Sequence, residues 1–232
     1  MLRRDWRRIA EGRTADIFEL DERRVLKLFK QGYSMDAARR EYENHRMVSG
    51  IMAQVPRVFA CAAYEGRVGL TMENVRGPSL ASRMLDARTF EQAMDLFAQL
   101  HMSWLSHTAP AATAYTDRML DAAVRAGAEE SLLRRIRALP PGDVLCHGDF
   151  HPYNIVLAGG GRPVIVDFAN VCRGPAAYDI ARTYVLLSEA DASAPLAGLY
   201  LARMRRTHED IEAYVSTLRD FRRYELGEGR KR

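Results

Sequence analysis

Asp149, Asn154 and Asp167 stand close together in this chain and carry oxygen donors suited to act as one reactive set. They lie in His147-Gly148-Asp149-Phe150-His151-Pro152-Tyr153-Asn154 and in Val164-Ile165-Val166-Asp167-Phe168. Two carboxylates and a carboxamide are what phosphoryl transfer asks of a protein, because that reaction is catalysed by positioning and charge rather than by covalent work. One carboxylate has to orient an attacking hydroxyl and take its proton. A second carboxylate and a neutral oxygen donor have to hold Mg²⁺, a hard cation that prefers oxygen ligands. Asp167 ends an apolar strand, where a carboxylate can be aimed into a cleft. Two other readings exist. Asp, Asn, Gly and Pro favour turns, but a turn leaves the strand-end Asp167 unexplained. His147, Asp149 and His151 alternate as the metal ligands of a hydrolase would; the sequence favours a structural role for His147, bonding backbone around the loop.

The step from Asp149 to Asn154 is that of the D-x-x-x-x-N kinase catalytic loop. H-G-D-x-x-x-x-N followed by an apolar strand ending in Asp-Phe resembles the aminoglycoside phosphotransferase and choline kinase-like family. The resemblance runs from about Arg7 to Ala190 and is weakest beyond. It implies an α+β, two-lobed protein-kinase-like fold with a small β-rich N-lobe and a larger, mostly helical C-lobe. It also implies transfer of the γ-phosphoryl of Mg-ATP, with GTP as the alternative, to a hydroxyl of a small molecule. By the same resemblance Asp149 is the base, Asn154 and Asp167 bind Mg²⁺, and Asp179 in Tyr178-Asp179-Ile180-Ala181-Arg182 braces the catalytic loop from a following helix.

These groups need a scaffold. Residues 14–20 and 23–29 flank the polar turn Asp21-Glu22 and read as a hairpin. A helix is expected over 34–49, with Ser34 as N-cap and Gly50 past its end. Short strands follow from Pro56 to Cys61 and from Arg67 to Met72. Lys27, a polar residue in an apolar strand, resembles the phosphate-handling kinase lysine, and a buried ammonium there needs a partner. Helix 34–49 offers Glu41 and Glu43; the family's spacing favours Glu41. Thr14, in the loop Gly12-Arg13-Thr14-Ala15, is placed over the phosphates, and backbone groups of Glu73 and Val75 are placed at the nucleobase. The expected organisation is a nucleotide-binding lobe over 1–73, a hinge over 74–78, and a catalytic and acceptor-binding lobe over 79–232. In the last, helices are expected over 88–107, over 117–138 and from Ala176 onward with a break near Pro195, around short strands at 144–146, 155–157 and 164–166.

Departures from protein kinases point to a small acceptor. Gly148 stands where H-R-D has arginine, Ala169 stands where D-F-G has glycine, and only residues 168–178 lie between Asp167 and Asp179. That leaves little room for an activation segment. Tyr184, Glu189, Tyr200, Asp210 and Tyr214 are candidates for the acceptor face. A nucleotide-binding pseudokinase is the alternative from another class, disfavoured by the presence of Lys27, Asp149, Asn154 and Asp167 together.

Composition narrows the rest. The hydrophobic fraction is 47% and the charged fraction 28%, ordinary for a water-soluble domain. No apolar run nears the roughly 20 residues of a membrane helix, and Met1-Leu2-Arg3-Arg4-Asp5-Trp6 lacks the apolar stretch of a secretory signal. Cys61, Cys146 and Cys172 are odd in number and widely spaced, so buried thiols and a reducing, cytoplasmic setting are expected. The net charge is +4. Its densest basic group, from Arg203 to Arg230-Lys231-Arg232, is interrupted by Glu209, Asp210, Glu212, Asp220, Glu225 and Glu228. That pattern suits a solvated helix face better than a nucleic-acid surface. It also suits a neutral or anionic acceptor better than a polycation. A monomer or a homodimer is expected.

Overall fold

The computed structural model describes residues 6–190 and 196–227. The break expected near Pro195, the start Met1–Asp5, and Glu228 with Arg230-Lys231-Arg232 lie outside the described residues. In chain order the elements are β1 (Arg7–Glu11), β2 (Ala15–Glu19), β3 (Arg24–Phe29), α1 (Met35–Ile51), β4 (Val58–Tyr64), β5 (Arg67–Glu73), α2 (Leu80–Met84), α3 (Phe90–Leu105), α4 (Tyr115–Arg125) and α5 (Glu130–Arg137). Then come β6 (Val144–Cys146), β7 (Ile155–Ala158), β8 (Arg162–Ile165), β9 (Cys172–Gly174), α6 (Ala176–Ala190), α7 (Leu196–Arg203) and α8 (Glu212–Glu225). The fold is α+β, and the chain divides into two compact units. One is Met1–Ser82 with Tyr153–Asn170; the other is Arg83–Pro152 with Val171–Arg232.

The first unit is built on an antiparallel sheet of order β1-β2-β3-β5-β4. The β2–β3 hairpin forms because Asp21 closes its turn: the carboxylate accepts the Arg23 N–H at 2.8 Å, a local bond that short acidic side chains make readily. β3 is central and buried from Val25 to Phe29. Helix α1 starts at Ser34, whose hydroxyl accepts the Ala37 N–H, with Asp36 in the first turn where a negative charge suits the helix dipole. Its buried residues Ala38, Glu41, His45 and Val48 share one face, as a 3.6-residue period requires. Ala38 joins Ala15, Phe29, Val68 and Leu70 in the core, and Tyr33 stacks on Phe29 with ring centroids 4.1 Å apart.

The β7–β8 hairpin belongs to this unit although it lies late in the chain. Residues 77–79 strap it down. The Pro78 carbonyl accepts the Leu157 N–H at 2.8 Å, and Ser79 bridges Val156. Gly77 is required there, since a Cβ would sit 1.9 Å from the Leu157 carbonyl oxygen.

The second unit packs α3 to α8 around the two-stranded β6–β9 ladder. Trp104, Tyr115, Tyr200, Phe97 and Phe150 are its largest fully buried side chains. One helix was expected over 117–138; two are found. Gly127 adopts φ 74°, and the Ala128 N–H reaches back to the Ala123 carbonyl at 2.9 Å. A left-handed glycine closed by such a backbone bond ends a helix. β1, β9 and α2 were not expected, β9 because Cys-Arg-Gly is too short to show a period. Cys146 and Cys172 are buried free thiols facing each other across β6–β9, whereas Cys61 is only half-buried. No helix among the described residues is long and apolar enough to cross a membrane.

Candidate active site

In the first unit, the sheet and α1 bring Lys27, Glu41 and Asp167 together. Lys27 Nζ donates to Glu41 Oε1 at 2.7 Å and to Asp167 Oδ1 at 3.0 Å. The cluster is closed at one end and open at the other: the Glu41 side chain is 3% exposed, that of Lys27 10%, and that of Asp167 40%. Burial pulls the ammonium toward neutrality, but the Asp167 and Glu41 carboxylates outweigh it and hold the Lys27 pKa above its ordinary value. Burial pushes the Glu41 carboxyl up against the pull of Lys27. The 2.7 Å contact compensates both buried groups, because losing either partner would leave the other charge uncompensated. Glu41 Oε2 has no hydrogen-bond partner among the described residues. Glu43, the other sequence candidate, is exposed on the far side of the helix.

Asn154 reaches the same neighbourhood through strand register. β7 and β8 pair Ile155 with Ile165, and the Val166 N–H donates to the Asn154 carbonyl at 2.9 Å. Asn154 therefore stands opposite Val166, one residue before Asp167. Asp167 itself has φ 69°, a left-handed conformation that costs a non-glycine residue roughly 1–2 kcal/mol. Phe168 anchors it: its ring is buried beside His45 with centroids 4.6 Å apart, and its carbonyl accepts from Asn44 Nδ2 at 3.1 Å. His45 in turn bonds the Pro56 carbonyl at 2.6 Å. Burial drives the His45 pKa down to about 4, so the ring is neutral at pH 7. Asn44 and His45 were missed from the sequence, although they lie three and four residues past Glu41 on the same helix face.

Thr14, Glu73 and Val75 are in this unit but not in the Lys27 cluster. Thr14 is exposed at the β1–β2 turn, its carbonyl accepting the Lys30 N–H at 2.8 Å. Glu73 ends β5, and its N–H is committed to the Arg57 carbonyl at 2.8 Å. Val75 follows, after an Asn74 whose N–H donates to the Arg23 carbonyl at 2.8 Å.

Asp149 belongs to the second unit, on a loop held by α6. Asp179, fully buried, accepts the His147 N–H on Oδ2 and the Gly148 N–H on Oδ1, both at 2.8 Å. One turn on, Arg182 Nε donates to the Gly148 carbonyl at 3.1 Å, and the Thr183 hydroxyl donates to the Phe150 carbonyl at 3.0 Å. Positions 179, 182 and 183 fall on one helix face, so a single face of α6 fixes four peptides of the loop, those joining 146–147, 147–148, 148–149 and 150–151. Gly148 takes φ 73° there, which glycine adopts without penalty. His101 Nε2 supports Asp179 at 3.1 Å. Burial alone would raise the Asp179 pKa, but the His101 contact and the donated amides hold it below its ordinary value. The His147 ring packs against Trp104 and Phe150, with centroids 5.0 and 5.6 Å away.

Asp149 lies 3.7 Å from His151 Nε2. Burial would raise its pKa, but His151, Arg182 and His147 hold it at about 2, so the carboxylate is ionised across the physiological range. Among the described residues no three His, Cys, Asp or Glu side chains gather as a metal cluster, and His147, Asp149 and His151 form none. Of the acceptor-face candidates, Tyr200 is core, its hydroxyl 2.7 Å from His101 Nδ1, and Tyr214 is buried. Glu189 is paired with Arg222 at 2.8 Å, and Asp210 accepts the Thr207 N–H at 2.7 Å. Arg182 and Thr183 were missed; the signal was their spacing from Asp179.

The family model described as APH, the phosphotransferase enzyme family, matches residues 5–214. No curated protein matches the sequence. Among solved structures, the chain is similar to an aminoglycoside-3'-phosphotransferase of type VIII, with 18% identity over 94% of this chain and 93% of that one and a TM-score of 0.70. It is similar to the aminoglycoside phosphotransferase APH(3'')-Id from Streptomyces rimosus in complex with ADP and streptomycin, with 18% identity, coverage of 93% and 92%, and a TM-score of 0.66. It is also similar to APH(2")-IIia in its GDP and kanamycin complex, with 17% identity, coverage of 96% and 84%, and a TM-score of 0.63. These likenesses establish the kinase-like α+β fold, and the family match covers nearly the whole chain. This chain belongs to the phosphotransferase enzyme family.

Proposed function

We propose that the protein transfers the γ-phosphoryl of Mg-ATP, with Mg-GTP as the alternative donor, to a hydroxyl of a small antibiotic or metabolite. The observation that carries this reading is Lys27, buried in β3 and held between Glu41 at 2.7 Å and Asp167 at 3.0 Å. Glu41 fixes the ammonium from the closed side, and the open side is left for phosphate oxygens. Asp167 and Asn154 suit Mg²⁺ by donor chemistry: one carboxylate and one amide oxygen on a shared hairpin, with substrate phosphates completing the shell, as this cation prefers. One ammonium facing two carboxylates also leaves the cluster a negative charge that a cation offsets. When bound, Mg²⁺ would neutralise charge on the β- and γ-phosphates. The Glu73 carbonyl and the Val75 N–H would meet the nucleobase edge, and the turn at Thr14 would cover the phosphates.

Asp149 is the base of this reading. With a pKa of about 2 it is a weak proton acceptor. Its work is to orient the acceptor hydroxyl and to take the proton late, as the O–P bond forms, which is where phosphoryl transfer needs it. Glu189 and Asp210 are already engaged by Arg222 and by the Thr207 backbone. That supports a neutral or anionic acceptor over a polycationic aminoglycoside, although relatives of this fold are seen with streptomycin and kanamycin.

The test is Mg-dependent ADP or GDP release against a panel of aminoglycosides, macrolides, choline, sugars, homoserine and nucleosides, with Asp149→Asn as control. A hit that the variant loses names the acceptor class. Failure to bind either nucleotide sinks the reading.

A further inference from the structure

The loop that carries Asp149 has Gly148 where a protein kinase has the arginine on which an activating phosphate docks. Arginine–phosphate pairs of that kind order kinase loops on demand. Here an arginine reaches the same peptide from elsewhere. Arg182, on α6, is 3% exposed and puts Nε 3.1 Å from the Gly148 carbonyl. Its other end pairs with Glu225, in the last turn of α8, at 2.7 Å. Glu225 is met by Arg222 at 3.3 Å, and Arg222 by Glu189 at 2.8 Å, so charges alternate from the loop along α8 and back to α6. A buried guanidinium without a counterion is strongly unfavourable, so Glu225 decides whether Arg182 can stay beneath the loop. Arg182 Nη1 is buried without a hydrogen-bond partner among the described residues. The guanidinium is therefore not saturated by neutral groups, and its charge is felt at Asp149.

We propose that Arg182 and Glu225 are positioning residues for the transfer reaction: the carboxylate on α8 holds Arg182 against the Gly148 carbonyl and thereby fixes the placement of Asp149. Glu225 does permanently what a docked phosphate does conditionally, and α8 becomes part of the catalytic apparatus without touching substrate. This inference rests on the reading of Asp149 as the base.

The test uses the full chain with Arg182→Met, Arg182→Lys and Glu225→Gln, each first shown to be folded by thermal melting. Amide hydrogen exchange is read across 147–150, with β3 as internal reference. ADP release from Mg-ATP is followed with water as the acceptor, and the Asp149 carboxyl is titrated by ¹³C NMR. Arg182→Met and Glu225→Gln are expected to speed exchange in the loop by about tenfold with β3 unchanged. They should lower kcat by about tenfold at unchanged KM for ATP. Arg182→Met should raise the Asp149 titration, because a positive charge is lost, whereas Arg182→Lys should leave it near wild type. A merely structural role would lower stability without moving that titration or splitting kcat from KM. If Glu225→Gln does not fold, Glu225→Asp takes its place, with the same changes expected at smaller size. Wild-type exchange, kcat and titration in the folded variants would overturn the proposal. Asp149→Asn is run alongside: if it turns over like wild type, the base reading falls. If it is silent while the pair variants behave as wild type, only the pair proposal falls.

Discussion

The two sets of candidate residues, one in each unit, are held in opposite ways. Around Lys27, side chains bind side chains: one ammonium is shared by Glu41 and Asp167, the latter 40% exposed. Around Asp149, buried side chains bind backbone: Asp179, Arg182 and Thr183 fix the peptides on either side of it. A charge cluster that shares one cation between two anions can rearrange when a further cation and phosphates arrive. A loop pinned through its peptides cannot. The difference matches the tasks proposed for each set, since a nucleotide site must open and refill while a base must stay placed within a fraction of an ångström.

The largest effect should come from Asp149→Asn, which is expected to slow transfer on the order of 10³-fold while Mg-nucleotide affinity, measured by titration calorimetry, stays within about twofold. Lost nucleotide binding in that variant would show that Asp149 serves the nucleotide as well as the acceptor. Asp179→Ala strips acceptors from the His147 and Gly148 amides, which are buried, and should cost about 3 kcal/mol in denaturant unfolding. A cost below about 1 kcal/mol would mean that the loop is not pinned as described.

His45 sharpens the contrast from the nucleotide side. Its folded pKa of about 4 lies below the ordinary 6.5, so the unfolded chain binds the extra proton first. Stability from this group is therefore complete above pH 6.5 and falls as the pH drops toward 4. Between pH 6.5 and pH 5 the loss should be about 2 kcal/mol, and His45→Gln should flatten that part of the stability–pH curve. The smallest effect is expected for Lys27→Met, about a tenfold loss of Mg-nucleotide affinity with hydrogen exchange across 147–150 unchanged. Asp167→Asn is the companion variant, because Asn tolerates the left-handed φ of 69° and so removes charge without adding strain. It should weaken nucleotide binding only when Mg²⁺ is present.

Much of this was legible in the sequence. Asp149, Asn154 and Asp167 could be proposed from the sequence because a metal and a proton acceptor require particular atoms at particular spacings, and the strand and helix periods around Lys27 and Glu41 are local properties. Most strands and helices followed from the same periods; β1, β9 and α2 did not, and the one helix read over 117–138 turned on a single left-handed glycine.

The candidate reactive groups and most of the elements that bear them could be read from the chain, because side-chain chemistry and local periodicity are written in short windows. Their partners came from the folded arrangement. It chose Glu41 over Glu43, since just one of them faces β3. It sent Tyr200 and Tyr214 into the core rather than toward an acceptor. It also brought Arg182 under Gly148 with Glu225 behind it. Burial and long-range ion pairing arise where distant segments meet, and no short stretch of chain records where that happens.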